Sequence, residues 1–139
     1  MILLDTSVIS ALMREIPDEA VIRWLDHQQR MSIWTASVNV FETRYGLQIM
    51  PAGKRRSAMI ALFEQVLSET IQGRIAHFDS VAAERAAEMA AERYKIGRPR
   101  DPRDTMIAGI VQASHATLAT RNVKYFEEIA PSLVNPWES

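Results

Sequence analysis

The feature that most constrains the fold is an apolar run that ends abruptly in an acid, Ile2-Leu3-Leu4-Asp5. A short apolar run without polar alternation is typical of a strand buried on both faces of a parallel sheet. Such sheets collect ligands beyond the carboxyl ends of their strands, so Asp5 is expected at that edge. Thr6 or Ser7 would then cap the following helix. Taken alone, the stretch has a simpler interpretation, in which Asp5 only helps to start that helix.

Further short apolar runs alternate with helical patterns along the rest of the chain. The runs fall at 32–36, 75–78, 117–120 and 133–134. Ser37 and Ser80 are expected to cap the helices that follow the second and third runs. Strands that alternate with helices predict an α/β fold, with a central parallel sheet of four to five strands and helices on both faces. With 139 residues, the chain is expected to form a single domain over 1–139.

Composition excludes several kinds of site. The chain has no cysteine, so disulfides and thiolate metal sites are impossible, and its three histidines show no metal-ligand spacing. Any metal would therefore be a hard cation held by oxygen, Mg²⁺ or Mn²⁺. A net charge of −1 creates no global field for a polyanion. With no apolar run of membrane-spanning length and no basic signal-peptide start, a cytoplasmic protein is expected.

Glu42 is an acid in apolar surroundings. It lies in the helix after the second strand, and Val38, Tyr45 and Ile49 share its side of that helix at spacings of four, three and seven. This spacing predicts that Glu42 borders an apolar stripe, where a lone carboxylate costs several kcal/mol, roughly, unless a cation or donors compensate it. A surface glutamate paired with Arg44 is an equally good interpretation of the residues alone.

Asp104 stands at a helix start. Asp101 and Pro102 have the residue types of an N-cap and a first helical residue, and acids in the first turn favour the helix dipole. Asp104 also shares a helix face with apolar residues at 107, 108 and 111, however, and a residue that only caps does not need to point inward. Asp101 is therefore the predicted cap, and Asp104 is the candidate for chemistry.

A polar cluster, Thr120-Arg121-Asn122, leaves the fourth strand as Asp5 leaves the first. Thr120 and Asn122 are thus expected where the sheet binds ligands, although Arg121-Asn122 on its own is compatible with a simple turn. The acids at 84, 88 and 92, interleaved with Arg85 and Arg93, indicate instead a solvated, salt-bridged helix face.

Four blocks in order resemble one family, the PIN-domain ribonucleases, and the ending is similar to the FitB-like branch of VapC toxins. The blocks are Ile2-Leu3-Leu4-Asp5-Thr6-Ser7-Val8-Ile9, the segment 37–46 around Glu42, Arg103-Asp104-Thr105-Met106-Ile107-Ala108-Gly109, and Leu118-Ala119-Thr120-Arg121-Asn122-Val123-Lys124-Tyr125-Phe126, and the ending is Leu133-Val134-Asn135-Pro136-Trp137. The resemblance implies a PIN-like three-layer fold. It also implies an Mg²⁺- or Mn²⁺-dependent endoribonuclease, the toxic half of a type II toxin–antitoxin pair.

By position, the resemblance implies that Asp5 and Asp104 are the main metal-binding carboxylates and that Glu42 completes a catalytic acidic site. The family often has a fourth acid in the strand-four block. The matching residue here is Asn122, and Tyr125 stands where many relatives have another aspartate. An amide contributes no charge, so this departure weakens the case for a second metal.

Phosphodiester hydrolysis explains why these residue types would be needed. It requires an activated water and relief of charge on the phosphoryl oxygens, and a hard divalent ion held by carboxylates supplies both. If the three carboxylates converge to about 5 Å, each pair repels by roughly 3 kcal/mol at an effective dielectric near 20. Such a cluster is a poor structural device and a good cation trap. Supporting roles are expected for Thr6, Ser7, Thr120 and Asn122, and substrate phosphates are expected to meet Arg103 and Arg121.

The expected partners are a small VapB-like antitoxin, an RNA substrate and a second copy of the chain in a homodimer, with operator DNA bound only through the antitoxin. Two alternatives remain open. An aspartyl-nucleophile phosphatase also opens with a strand and an aspartate, but typically has a second acid two residues later, where this chain has Ser7. A PIN-like nucleic-acid or antitoxin-binding module with little catalytic activity would act in a DNA-binding autorepressor complex.

Overall fold

A parallel sheet lies at the centre of the computed structural model, which describes residues 1–138. Five strands form within these residues: β1 (Ile2–Leu4), β2 (Ile33–Ala36), β3 (Ile75–Ala76), β4 (Thr117–Ala119) and β5 (Leu133–Val134). Their order is β3-β2-β1-β4-β5, and every neighbouring pair is parallel. The α/β fold with a central parallel sheet is confirmed. The last residue of the predicted domain, Ser139, lies outside the described residues.

Helices connect the strands as crossovers. They are α1 (Thr6–Leu12), α2 (Glu19–Asp26), α3 (Ser37–Ile49), α4 (Lys54–Gln65), α5 (Ser80–Lys95), α6 (Pro102–Ser114) and α7 (Val123–Phe126). A π-helical segment, Val66–Ile71, continues α4. It ends where Gln72 and Gly73 take positive φ angles of 53° and 75°, a conformation that an L-residue such as Gln72 rarely adopts.

Each face of the sheet carries its own apolar core, which gives three layers. Leu4 packs on one side with Val8 and Ile9 of α1 and with Phe63 of α4. Leu3 packs on the other side with α6, and both leucines are fully buried. Successive strand residues point to opposite faces, so a strand enclosed by two cores must be apolar throughout. The unbroken apolar run before Asp5 is explained by this arrangement.

Helix caps only partly follow the sequence expectations. Asp101 caps α6 as predicted, since its Oδ1 accepts the Arg103 N–H at 2.8 Å. The prediction for Ser80 is wrong, because Asp79 one residue earlier accepts the Ala82 N–H at 2.9 Å. The prediction for Ser37 is also wrong. It is the first residue of α3, and its hydroxyl accepts the Phe78 N–H at 3.2 Å, which ties α3 to the chain beyond β3.

The buried face of α3 differs from the predicted apolar stripe. Tyr45 and Ile49 are exposed, and so is Phe41, whose ring stacks on Tyr45 at 6.2 Å. The residues that α3 buries toward the sheet are Val38, Asn39, Thr43 and Leu47. The stripe prediction failed because the inward polar groups are satisfied: Thr43 Oγ1 donates to the Asn39 carbonyl at 2.9 Å, so burial does not leave it unpaired.

A close helix contact anchors α6. Gly109 faces α5 so closely that a Cβ there would lie 2.5 Å from the Ala82 carbonyl oxygen and 2.8 Å from Ala86 Cβ. Only glycine allows this approach. The contact fixes the axis of α6, and therefore the position of its first turn, which carries Asp104.

The exposed face of α5 has the predicted polar character in part. Arg85 and Glu88 form an exposed pair at 3.8 Å. Arg93 instead leaves that face and pairs with Glu128, beyond α7, at 2.6 Å. Within residues 1–138, no helix is long and apolar enough to cross a membrane.

Candidate active site at the carboxyl edge of the sheet

Asp5 follows β1 and is 6% exposed. Its Oδ1 accepts a hydrogen bond from Asn39 Nδ2 at 3.1 Å, and its Oδ2 accepts one from Thr120 Oγ1 at 2.8 Å and one from Ser7 Oγ at 3.3 Å. The carboxylate does not cap α1, although Asp5 occupies the N-cap position. Burying a carboxylate is costly unless hydrogen-bond donors compensate it. Here three side chains from separate segments of the chain, α1, α3 and the exit of β4, donate to Asp5. Asp5 therefore does more than start the helix: its backbone carbonyl accepts the N–H groups of Val8 and Ile9, while its carboxylate is held by side chains from outside the helix end.

Thr6 and Ser7 are the first two residues of α1. The prediction that one of them caps this helix is therefore wrong, since the N-cap position belongs to Asp5. Thr6 Oγ1 accepts from Asn39 Nδ2 at 3.1 Å and donates to Glu42 Oε1 at 3.4 Å. Ser7 Oγ, besides its contact with Asp5, accepts the Arg121 backbone N–H at 3.2 Å. Both hydroxyls thus connect α1 to the surroundings of Asp5.

Glu42 lies on α3 with its side chain 21% exposed. It does not pair with Arg44, which forms an ion pair with Glu64 at 2.8 Å. The cation that faces Glu42 is Arg103, at 4.0 Å from Oε2. Glu42 therefore points toward the first turn of α6, where Asp104 lies.

Asp104 is in the first turn of α6, while Asp101 holds the cap. Its Oδ2 accepts a hydrogen bond of 2.6 Å from the Tyr125 hydroxyl on α7. Asp101 therefore caps the helix as predicted, and Asp104 takes no part in that cap; its role in chemistry stays a prediction.

Burial and neighbouring charges raise the pKa values of Glu42 and Asp104. Burial raises the pKa of Glu42, the charges of Asp5 and Asp104 raise it further, and Arg103 and the Thr6 hydrogen bond oppose them. Burial likewise raises the pKa of Asp104, and Asp101 and Asp5 add to this, while the Tyr125 hydrogen bond and Arg103 lower it. Residues from positions 5, 42 and 104 are thus brought to one edge of the sheet. Their proximity makes full ionisation unfavourable.

The exit of β4 contributes the hydroxyl of Thr120 to the site, and Asn122 supports that hydroxyl through its backbone N–H. Thr120 is fully buried, and its Oγ1 accepts the Asn122 backbone N–H at 3.1 Å while donating to Asp5. The Arg121 guanidinium lies 4.7 Å from the centre of the Trp137 ring, where it can make a cation–π contact. Arg103, the other arginine expected to bind a substrate phosphate, contacts two acids: its Nη1 lies 4.0 Å from Glu42 Oε2, and its Nε lies 3.5 Å from Asp101 Oδ1.

Comparison with known proteins identifies the family. The PIN domain family matches residues 2–130. The VapC ribonuclease Y4jK of Sinorhizobium fredii is 36% identical over 138 residues, which span 99% of each chain. Toxin FitB of Neisseria gonorrhoeae is 31% identical over 137 residues, again 99% of each chain. The structure of FitAB bound to an IR36 DNA fragment has a TM-score of 0.85 at 31% identity, covering 99% of this chain and 96% of that one.

The chain belongs to the PIN-domain family. The resemblance to VapC toxins and their FitB-like branch is confirmed, and so is the PIN-like three-layer fold. In this PIN domain the acids come from the end of β1, from α3 and from the first turn of α6.

The side chains of this PIN domain have the chemistry of a hard-cation site. The side chains that contact Asp5 carry hydroxyl and amide groups. The amide oxygen Asn39 Oδ1 is buried without a hydrogen-bond partner among the described residues. A divalent ion would also relieve the mutual repulsion of the three carboxylates. Across residues 1–138, however, no three His, Cys, Asp or Glu side chains are already arranged to hold a metal ion. The donor chemistry therefore fits a hard cation, although the three carboxylates are not already arranged as ligands of one ion.

Asn39 is the site residue that sequence analysis missed. It is fully buried and donates to both Asp5 and Thr6. The available signal was its spacing of four from Thr43 and eight from Leu47, which defines the inward face of α3. The exposed apolar row on the same helix obscured that signal.

Proposed function

We propose that this PIN domain is a divalent-metal-dependent endoribonuclease and the toxic component of a type II toxin–antitoxin pair. The observation that carries the proposal is the placement of Asp5, Glu42 and Asp104 at one edge of the sheet, where the charge of Asp5 adds to burial in raising the pKa of both Glu42 and Asp104. The names of the relatives support it, since one is a VapC ribonuclease and another is a toxin.

Asp5, Glu42 and Asp104 would hold Mg²⁺ or Mn²⁺. Such an ion generates a nucleophilic water near neutral pH and neutralises charge on the phosphoryl oxygens. Asp5 is preorganised for this role because Asn39 and Thr120 fix its two carboxylate oxygens. Thr6 orients Glu42 by donating to Oε1.

Arg103 would bind a substrate phosphate. Its side chain is 45% exposed, and it pairs with Glu42 at 4.0 Å and with Asp101 at 3.5 Å. A cation bound by Glu42 would replace Arg103 as the compensating charge, which frees the guanidinium for a phosphate oxygen. Arg121 would provide a second cation beyond β4. These contacts position an RNA backbone without selecting its sequence.

Cleavage of RNA by the purified chain tests the proposal. Wild type, Asp5→Asn and the control Asp26→Asn, an exposed residue at the end of α2, are incubated with RNA in Mg²⁺, Mn²⁺ or EDTA. Metal-dependent cleavage by wild type and Asp26→Asn, with none by Asp5→Asn, is expected. Cleavage that persists in EDTA, or that is equal in Asp5→Asn, would count against it.

The partners follow from the same proposal. A small antitoxin would neutralise the chain, and operator DNA would be bound through that antitoxin, because a net charge of −1 offers no field for DNA. The similar structure of FitAB bound to an IR36 DNA fragment supports the expectation of such a complex. The homodimer stays a prediction. Growth arrest on expression, relieved by co-expression of the cognate antitoxin, is the expected cellular result.

A binding module with little catalytic activity is the second candidate. It is favoured by one observation, that the described residues contain no ready-made group of metal ligands. In that case Asp5→Asn would leave both toxicity and antitoxin binding unchanged, whereas a nuclease would lose toxicity and keep antitoxin binding.

A further inference from the structure

Tyr125 stands in the strand-four block and contacts one of the three acids. Its hydroxyl donates to Asp104 Oδ2 at 2.6 Å, the short distance of a hydrogen bond to an ionised acceptor. Asp104 Oδ1 accepts no hydrogen bond within residues 1–138. Tyr125 therefore occupies one carboxylate oxygen and leaves the other available.

The ring of Tyr125 is itself held in place. Arg100 covers one face of the ring, and its guanidinium carbon lies 4.8 Å from the ring centre. Phe126, which is buried, meets it edge-on at 5.3 Å. A tyrosine that is 40% exposed would otherwise sample several rotamers, so these two contacts limit where its hydroxyl can lie.

Arg100 is fixed in turn by an ion-pair network. Glu128 accepts from Arg100 at 2.9 Å and pairs with Arg93 at 2.6 Å, and Arg98 lies 3.9 Å from its other oxygen. Three separate segments thus converge beside the first turn of α6: the end of α5, the loop before α6, and the segment that contains α7. Their common effect is to fix the phenol against Asp104.

We propose that Tyr125 is a positioning residue of the acidic site, which holds Asp104 through Oδ2 and leaves Oδ1 free to bind a metal ion. This inference rests on the proposed nuclease function and specifies how this chain arranges one of its acids. Tyr125 thus gives this position a hydroxyl that donates a hydrogen bond, and it adds no negative charge to the acidic site. Outer contacts of this kind orient the groups that bind a metal, and their loss typically costs about 10–100-fold in metal affinity or activity.

Tyr125→Phe tests the inference, because it removes the hydroxyl and keeps the ring on which Arg100 stacks. The matched control is Tyr94→Phe, at an exposed position near the end of α5. Mn²⁺ binding is followed by calorimetry and by electron paramagnetic resonance, and RNA cleavage is resolved into kcat and KM. Tyr125→Phe is expected to weaken Mn²⁺ binding about 10-fold and to lower kcat similarly, with KM for RNA within about twofold.

A second variant, Arg100→Gln, removes the charge over the ring and leaves the phenol in the chain. A smaller loss of Mn²⁺ affinity in the same direction is expected, with Tyr94→Phe equal to wild type. Wild-type Mn²⁺ affinity and kcat in Tyr125→Phe would overturn the inference, as would a loss confined to thermal stability. If wild type binds Mn²⁺ but cleaves no RNA, the nuclease proposal fails and the binding measurements alone decide the role of Tyr125.

Discussion

Thr120 Oγ1 donates a 2.8 Å hydrogen bond to Asp5 Oδ2 across 115 positions of sequence. Register explains the contact. Leu4 pairs with Ala119 in neighbouring parallel strands, so the next residue of each strand emerges at the same edge. The Asp5 N–H completes this register by donating to the Ala119 carbonyl at 2.9 Å. The buried carboxylate and its donor are thus set side by side by the sheet itself.

Thr120→Val should remove this donor with little change of shape. A buried hydrogen bond to a charged group contributes roughly 1.5–3 kcal/mol, and its loss leaves Asp5 Oδ2 with only the longer Ser7 contact. We expect the free energy of unfolding to fall by that amount in urea titrations, and RNA cleavage to fall about 10–100-fold. Thr117→Val, at the half-buried start of the same strand, loses only a solvent-exposed hydroxyl contact with Ser132; it is the control and should stay within about 0.5 kcal/mol of wild type. Equal behaviour of the two variants would contradict the assignment.

Asp104 and Asp101 are three residues apart and should respond differently. Asp104→Asn removes a charge from the acidic site, and we expect cleavage to fall at least about 100-fold, since metal-assisted catalysis depends on several kcal/mol of charge stabilisation. Asp101→Ala removes the cap on the Arg103 N–H and the exposed ion pair with the Arg103 guanidinium, and should cost roughly 0.5–2 kcal/mol of stability, with cleavage retained. Cleavage assays and denaturation of both variants give the comparison. The opposite pattern would exchange their roles.

Glu42→Gln should stabilise the metal-free protein at neutral pH. Burial and the charge of Asp5 raise the pKa of Glu42 above its ordinary 4.5, so between that value and the raised one the folded protein binds more protons than the unfolded chain. Wild-type stability should therefore fall as pH rises through this window. In EDTA, Glu42→Gln is expected to be more stable by roughly 0.5–2 kcal/mol at pH 7 and less dependent on pH. Parallel stability–pH curves would show that Glu42 is not under this strain.

Two glycines give a paired test of the packing that holds α6. Gly109→Ala forces a Cβ against the Ala82 carbonyl and should destabilise the fold by about 1–3 kcal/mol. Gly46→Ala, inside α3 with no atom within 4 Å of the new Cβ, should instead stabilise by about 0.5–1 kcal/mol. Thermal and urea unfolding measure both. Similar changes in the two variants would be inconsistent with the close α5–α6 contact.

Predictability differed between strands and helix faces. The strands were predictable because enclosure on both sides demands an unbroken apolar run, as in residues 2–4. The orientation of α3 was not, because its inward face carries Asn39 and Thr43 while Phe41 and Tyr45 are exposed. Polar residues can be buried when partners from elsewhere satisfy them, and those partners are distant in sequence.

The α/β class, the strands and the helix cap at Asp101 followed from the order of residues alone, because these features depend on side chains a few positions apart. The family followed likewise from four ordered blocks that span the chain. Folding in three dimensions was needed to show that Asn39 and Thr120 hold Asp5, that Arg103 and not Arg44 faces Glu42, and that Tyr125 binds Asp104. Each of these contacts depends on strand register and helix packing, which convert positions far apart in the chain into distances of a few ångströms.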